Sequence, residues 1–204
     1  PYERHGWIAP TEGLAERGHD LTYIAYRRPA EEPSHVALPR ERPRAYWRDY
    51  RSGQEALRRL RPDRIVLMAT EGAWQIAIVA AARALSIPTA VLQHGVFDPS
   101  PGHYVASSAE DMGRLEAARP WTRLPALAFL LRTLRREPRS AAASLRYLWA
   151  AHRSTVWEAA PRHPLPLRVA DAYLVASARA GRYFGEMDAV GAERVIPVGL
   201  AEFD

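Results

Sequence analysis

Residues Arg61–Asp98 read RPDRIVLMATEGAWQIAIVAAARALSIPTAVLQHGVFD, and this stretch decides the fold. Pro62-Asp63 turns the chain into a short apolar run, Arg64–Ala69. Gly72 and Trp74 open a helical pattern with Ile76, Ile78, Val79, Ala82 and Leu85 apolar. Ser86-Ile87-Pro88 stops that helix, because proline disfavours helical backbone in the residue before it. A second run, Thr89–Leu92, follows and ends in Gln93-His94-Gly95. Two short runs joined by a helix form a βαβ unit with parallel strands. Ligands of open parallel sheets bind beyond the carboxyl ends of the strands, and Glu71 and His94 stand at two such ends.

Outward from this unit, the same alternation continues in both directions. On the amino-terminal side, 2–18 reads as a loop and a helix ending at Arg17-Gly18. Leu21–Tyr26 is a strand rich in β-branched and aromatic residues. A helix before that strand implies an earlier strand, which the sequence lacks, and residue 1 is not methionine; the expectation is a piece of a longer chain. Arg27–Arg44 carries four prolines and reads as a surface loop, and Tyr46–Leu60 as a helix. On the other side, 105–119 is a helical pattern, 121–136 a second and Ser140–Ala160 a third, with Leu145, Leu148, Trp149, Val156 and Trp157 expected on one face. Together they predict a helical insertion over 105–160, about 60 residues and too long for an ordinary connection. Ala172–Ala176 returns as a strand, Ser177–Met187 as a helix, and Val195–Gly199 as the last strand. The fold class is therefore α/β, an open parallel Rossmann-like sheet with flanking helices, in one domain spanning 1–204.

Composition narrows the function. The chain has 204 residues, 48% hydrophobic and 25% charged, as in a soluble globular protein. It has no cysteine, which removes disulfides, thiolate metal sites and cysteine nucleophiles. Net charge is +5 and every basic residue outside histidine is arginine, a bias that a GC-rich genome produces without selection for anion binding. No apolar run reaches the roughly 18 residues of a membrane span, and Pro-Tyr-Glu-Arg-His is no signal peptide. The arginines are scattered, without a zinc motif, a recognition-helix pattern or an aromatic RNA-binding strand, so nucleic acid is not an expected partner. No histidines and carboxylates share ligand spacing on one element, so no metal site is expected.

Four segments resemble the N-terminal half of a GT-B glycosyltransferase. Leu14-Ala15-Glu16-Arg17-Gly18-His19-Asp20-Leu21-Thr22 is similar to the segment after the first helix of those enzymes. Arg61-Pro62-Asp63-Arg64-Ile65-Val66 resembles the opening of a middle strand. Ala84–Gly95 resembles the Ile-Pro…His-Gly segment of CDP-glycerol glycerophosphotransferases, UDP-N-acetylglucosamine 2-epimerase-like proteins and capsule transferases. Val198–Asp204 is similar to the link into a second domain. Their order and spacing are more specific than any one of them.

The resemblance implies one half of a two-domain enzyme, the acceptor-side domain. The donor, a nucleotide-activated sugar or glycerol phosphate, is a substrate held mainly by the second domain, and no separate cofactor is expected. Such a transfer needs a base for the acceptor hydroxyl, donors for the departing diphosphate, and exclusion of water. The matching histidine of the glycerophosphotransferases makes His94 a candidate base or acceptor ligand; the plain alternative is a histidine that bonds its own loop. Glu71 is a candidate base, orienter of His94 or ligand of acceptor hydroxyls, against a simple charge at a helix start. Thr70 and Gly72 offer hydroxyl and amide donors there, Gly95 lets backbone approach a ligand, and Gln93 bonds either acceptor or loop. The resemblance also adds His5, in a loop where many such enzymes carry a histidine base. The acceptor class is a carbohydrate or a lipid-linked sugar, in cell-surface polysaccharide or glycolipid synthesis, and the expected place is the cytoplasm, free or at the inner face of the membrane. The helix over 121–136, with its leucines, Phe129, Arg132, Arg135 and Arg136, fits peripheral contact with anionic lipid, or an ordinary hairpin with solvated arginines. The rival readings are an isomerase of the 2-epimerase kind and a non-catalytic binding module.

Overall fold

The computed structural model of the chain describes residues 13–25, 42–93, 123–154 and 156–199. The central βαβ unit is present: β3 (Ile65–Leu67), a helix over Ala73–Ala84, and β4 (Thr89–Leu92). Before it come β1 (Tyr23–Ala25), β2 (Arg44–Tyr46) and α1 (Gly53–Leu60), which makes the helix of the unit α2. After it come α3 (Arg123–Thr133), α4 (Pro138–Arg153), α5 (Val156–Arg162), β5 (Ala172–Val175), α6 (Ala178–Asp188) and β6 (Val195–Pro197).

All strand pairs are parallel. β3, β4, β5 and β6 form one sheet in that order, and β1 and β2 pair as a separate two-stranded sheet. Because the four strands are consecutive and parallel, the loops that follow them leave along one edge. This is an α/β, Rossmann-like arrangement with flanking helices, one half of a GT-B type fold.

The core lies over one face of the larger sheet. α2 is buried from Ile76 to Ala82 with no polar stripe, as expected of a helix enclosed on all sides. It packs on α1, on α3 and on the 3-10 turn Pro166–Arg168. Trp47, 1% exposed, fills the corner, stacked on Trp74 at 6.5 Å and edge-on to Phe129 at 5.4 Å, separations at which aromatic quadrupoles attract. Thr133 fastens α3 to α1: its hydroxyl accepts the Gly53 amide and donates to the Phe129 carbonyl, both at 2.8 Å.

Four expectations are corrected. The polar loop ends in a strand, β2, where Arg-Ala-Tyr pairs with Tyr23–Ala25. Its three residues show no apolar alternation, and backbone pairing, invisible in sequence, makes the strand. The helix expected over Tyr46–Leu60 is a 3-10 turn, Trp47–Asp49, followed by α1 starting at Gly53. Ser52, in extended backbone, accepts the Glu55 amide and fixes that start. The helix expected over Ser140–Ala160 is two, α4 and α5, broken at Ser154, whose φ of −135° and ψ of −131° leave helical space and whose hydroxyl bonds the Ala150 carbonyl. The inward face of α4 also differs. Ser144 and Tyr147 are buried, whereas Leu145 and Trp149 face outward. The helix expected over 105–119 lies outside the described residues.

Candidate active site

The carboxyl ends of β3 and β4 are neighbours in the sheet. β3 gives way to Thr70, Glu71 and Gly72, which lead into α2. Thr70 is buried, and its amide donates to Glu71 Oε2 at 3.1 Å. Glu71 is half-buried, held by the backbone of its own turn. Gly72 caps α2 without a side-chain bond; a Cβ there would run into Gln75 Oε1, which folds back over the turn and is itself buried without a hydrogen-bond partner among the described residues. Thr70, Glu71 and Gly72 thus sit together at the start of α2, where unpaired backbone amides and the helix dipole favour a negatively charged or polar group.

At the end of β4, Gln93 is buried, its amide donates to the Leu174 carbonyl at 2.9 Å, and its Oε1 accepts the Ala176 amide at 3.0 Å. Gln93 therefore ties the loop after β4 to the end of β5. His94 and Gly95 follow it in the chain and, like His5, lie outside the described residues. Of the seven candidate residues, the structure brings Thr70, Glu71, Gly72 and Gln93 to adjacent strand ends. Ser177, which ends the next loop and caps α6 by accepting the Ala180 amide, stands at the same edge.

Two residues that the sequence did not single out form a buried pair whose phenol feels the Glu71 charge. Tyr147 on α4 is fully buried, and the Arg168 guanidinium, 1% exposed as a residue, lies 5.0 Å from its ring centroid. Burial pushes the Tyr147 hydroxyl up to about 12; Arg168 opposes that push and the Glu71 carboxylate adds to it. Burial also raises Tyr173, with its Ala170 bond and Arg168 opposing and Glu71 adding. Glu71 thus shares an electrostatic neighbourhood with a buried cation and two neutral phenols. An arginine inside Leu165-Pro166-Leu167-Arg168-Val169 was the available signal, since an apolar run seldom holds a charge without a partner built around it.

A sizeable recess lies elsewhere. About 760 Å³ opens at the amino ends of β5 and β6, lined by Arg83, Pro166, Asp171, Glu186 and Arg194 among others. Parallel sheets bind ligands at the opposite edge, and the recess mixes both signs of charge without convergent donors, so Glu71 and its neighbours remain the better site. Among the described residues no cluster of three His, Asp or Glu side chains could hold a metal ion, and no helix is long and apolar enough to cross a membrane.

An open parallel sheet with flanking helices and polar residues at its strand ends defines a Rossmann-like domain. Residues 11–195, most of the chain, match glycosyltransferase family 4, and the chain belongs to that family. No curated protein and no solved structure matches it. The family match supports a glycosyltransferase domain of the GT-B type and does not extend to the glycerophosphotransferase, epimerase-like or capsule-transferase subgroup.

Proposed function

We propose that this domain is the acceptor-side half of a GT-B glycosyltransferase that uses a nucleotide-activated sugar or glycerol phosphate donor. Its products belong to cell-surface polysaccharide or glycolipid synthesis at the cytoplasmic face of the membrane, and its acceptor is a carbohydrate or a lipid-linked sugar. The observation that carries the reading is the family match together with the polar turn Thr70-Glu71-Gly72 beside the end of β4. Membership in a transferase family favours transfer over the isomerase and binding-module readings.

In this reading His94, next along the chain from Gln93, takes the proton of the acceptor hydroxyl as that oxygen attacks the donor's activated carbon, breaking its C–O bond to the departing nucleoside diphosphate, or the phosphorus of a glycerol phosphate donor, breaking its P–O bond to the departing nucleoside monophosphate. Imidazole suits this role because its ordinary pKa lies near neutrality. Glu71 orients the imidazole or binds acceptor hydroxyls, Thr70 and the first amides of α2 bind acceptor oxygens, and Gly95 lets the backbone come close. The donor diphosphate is held mainly by a second Rossmann-like domain. The test is transfer by the full-length protein carrying His94→Ala or Glu71→Gln. A positioned base contributes roughly 10²–10⁴-fold, so His94→Ala is expected to lose at least a hundredfold in kcat. Activity within a few-fold of wild type removes His94 from the base role.

A further inference from the structure

The hairpin of α3 and α4 carries more charge than its share. Residues 123–153 hold seven arginines and one carboxylate, Glu137, a net of +6 against +5 for the whole chain, so everything else together carries −1. α3 is not free to lie in a membrane by its broad apolar face, because Ala126, Phe129, Leu130 and Leu134 are spent on the core. α4 is different. Its buried positions are Ser144 and Tyr147, and the opposite side presents Leu145 at 40% exposure and Trp149 at 63%, one turn apart. Arg139, Arg146 and Arg153, all exposed, recur every seven residues and so form one row beside that apolar pair. Arg153 leans over the Trp149 ring at 5.7 Å.

A second observation lies on the flank of the same row. A recess of about 360 Å³ opens between α4 and the end of α5, lined by Ala143, Arg146, Arg162, His163 and Pro164. Among the described residues no carboxylate lines it. It is a shallow basic cup next to an exposed tryptophan and leucine.

We infer that the outward face of α4, with this cup, docks the protein on an anionic phospholipid surface. Trp149 and Leu145 enter the boundary between headgroups and acyl chains, where an amphipathic ring is favoured. The row Arg139–Arg146–Arg153 lies against headgroup phosphates, and the cup formed by Arg146, Arg162 and His163 takes one of them. A polyanion such as RNA satisfies the arginines but gives no reason for an exposed leucine beside the tryptophan, and a neutral protein surface satisfies the leucine but not a row of arginines. The inference rests on exposure and charge and is independent of the reaction.

The test is co-sedimentation of the full chain with vesicles of phosphatidylcholine alone and of phosphatidylcholine with phosphatidylglycerol, with no donor or acceptor present, so that its outcome is separate from transfer activity. Binding is expected only to the anionic vesicles and is expected to weaken as salt rises. A variant with Arg139→Gln, Arg146→Gln and Arg153→Gln is expected to bind about a hundredfold more weakly, and Leu145→Ser with Trp149→Ser about tenfold. All five side chains are exposed, so thermal melts matching wild type check that the variants fold. Equal binding to both vesicle types, or wild-type affinity in both variants, overturns the inference. So does binding to RNA that exceeds vesicle binding and survives the Leu145/Trp149 change.

Discussion

Gln93 Oε1 accepts the Ala176 amide at 3.0 Å, and the Gln93 amide donates to the Leu174 carbonyl at 2.9 Å. The residue before His94 is therefore committed to the neighbouring strand by both backbone and side chain. Gln93→Ala frees the Ala176 amide and leaves a gap at a buried position. The expected cost is about 1–2 kcal/mol, seen as a melting temperature lower by roughly 2–8 °C. Gln93→Glu keeps the acceptor but buries a charge, and is expected to cost more at neutral pH than at acid pH. A melt unchanged in Gln93→Ala returns Gln93 to the ligand role.

The opposite ends of the same two strands are joined by a second device. Asp171 Oδ2 accepts both the amide and the hydroxyl of Thr89 at 2.8 Å, and the Asp171 amide donates to the Thr89 hydroxyl and carbonyl, each at 3.1 Å. β4 and β5 meet across a long excursion that includes α3, α4 and α5, so this clamp sets their register where the chain itself does not. Asp171→Ala removes two bonds to a charged acceptor and is expected to cost about 2 kcal/mol. Thr89→Val, which keeps the shape and loses the hydroxyl, is expected to cost about half as much. A double variant no worse than Asp171→Ala, measured by urea unfolding, identifies the pair as one unit.

Gly53 begins α1 where two helices touch. A Cβ built there would stand 2.7 Å from the Ala77 carbonyl oxygen and 2.8 Å from Ala81 Cβ. The first of these is backbone in the middle of α2, which cannot swing aside. Alanine for glycine in a helix ordinarily stabilises by roughly 0.5–1 kcal/mol. Here Gly53→Ala is expected to destabilise by about 1–3 kcal/mol, the cost of overpacking, because it parts α1 from α2 and stretches the Gly53–Thr133 bond. A stabilised Gly53→Ala in thermal unfolding refutes the close approach.

The central unit was legible because its signals are local: a Pro-Asp turn, an apolar run, a mostly apolar helix and an Ile-Pro stop, with Thr89–Leu92 forming β4 as expected. What was not legible depends on partners distant in sequence. β2 exists because Tyr23–Ala25 lies beside it. α4 turns Tyr147 inward rather than Trp149, and there the phenol ring meets the guanidinium of Arg168, in a turn packed on α2. Hydrophobicity alone ranks Trp149 and Leu145 as core. The strand-end positions of Glu71 and Gln93 followed from the βαβ pattern, whereas the Ala176 amide that holds Gln93 and the buried Arg168–Tyr147 pair did not.

That buried tyrosine gives the clearest dependence on pH. Burial holds the Tyr147 hydroxyl protonated up to about 12, against the ordinary 10.0 of an exposed phenol. In the unfolded chain the phenol ionises near its ordinary value, so between those two values the unfolded state releases a proton that the folded state keeps. The raised folded pKa therefore contributes stability that is complete below about pH 10 and is lost as pH rises toward 12, by about 2–3 kcal/mol in all. Tyr173, also raised by burial, adds loss in the same direction. The Tyr147 hydroxyl oxygen is buried with no hydrogen-bond partner among the described residues. Tyr147→Phe thus removes an uncompensated polar group while keeping the ring under the Arg168 guanidinium. The variant is expected to be as stable as wild type or slightly more stable at pH 7 and to lose less between pH 10 and 12. Urea midpoints of the two proteins at pH 7, 9 and 11 measure the difference. If the two curves fall in parallel above pH 10, the hydroxyl is not the group that titrates.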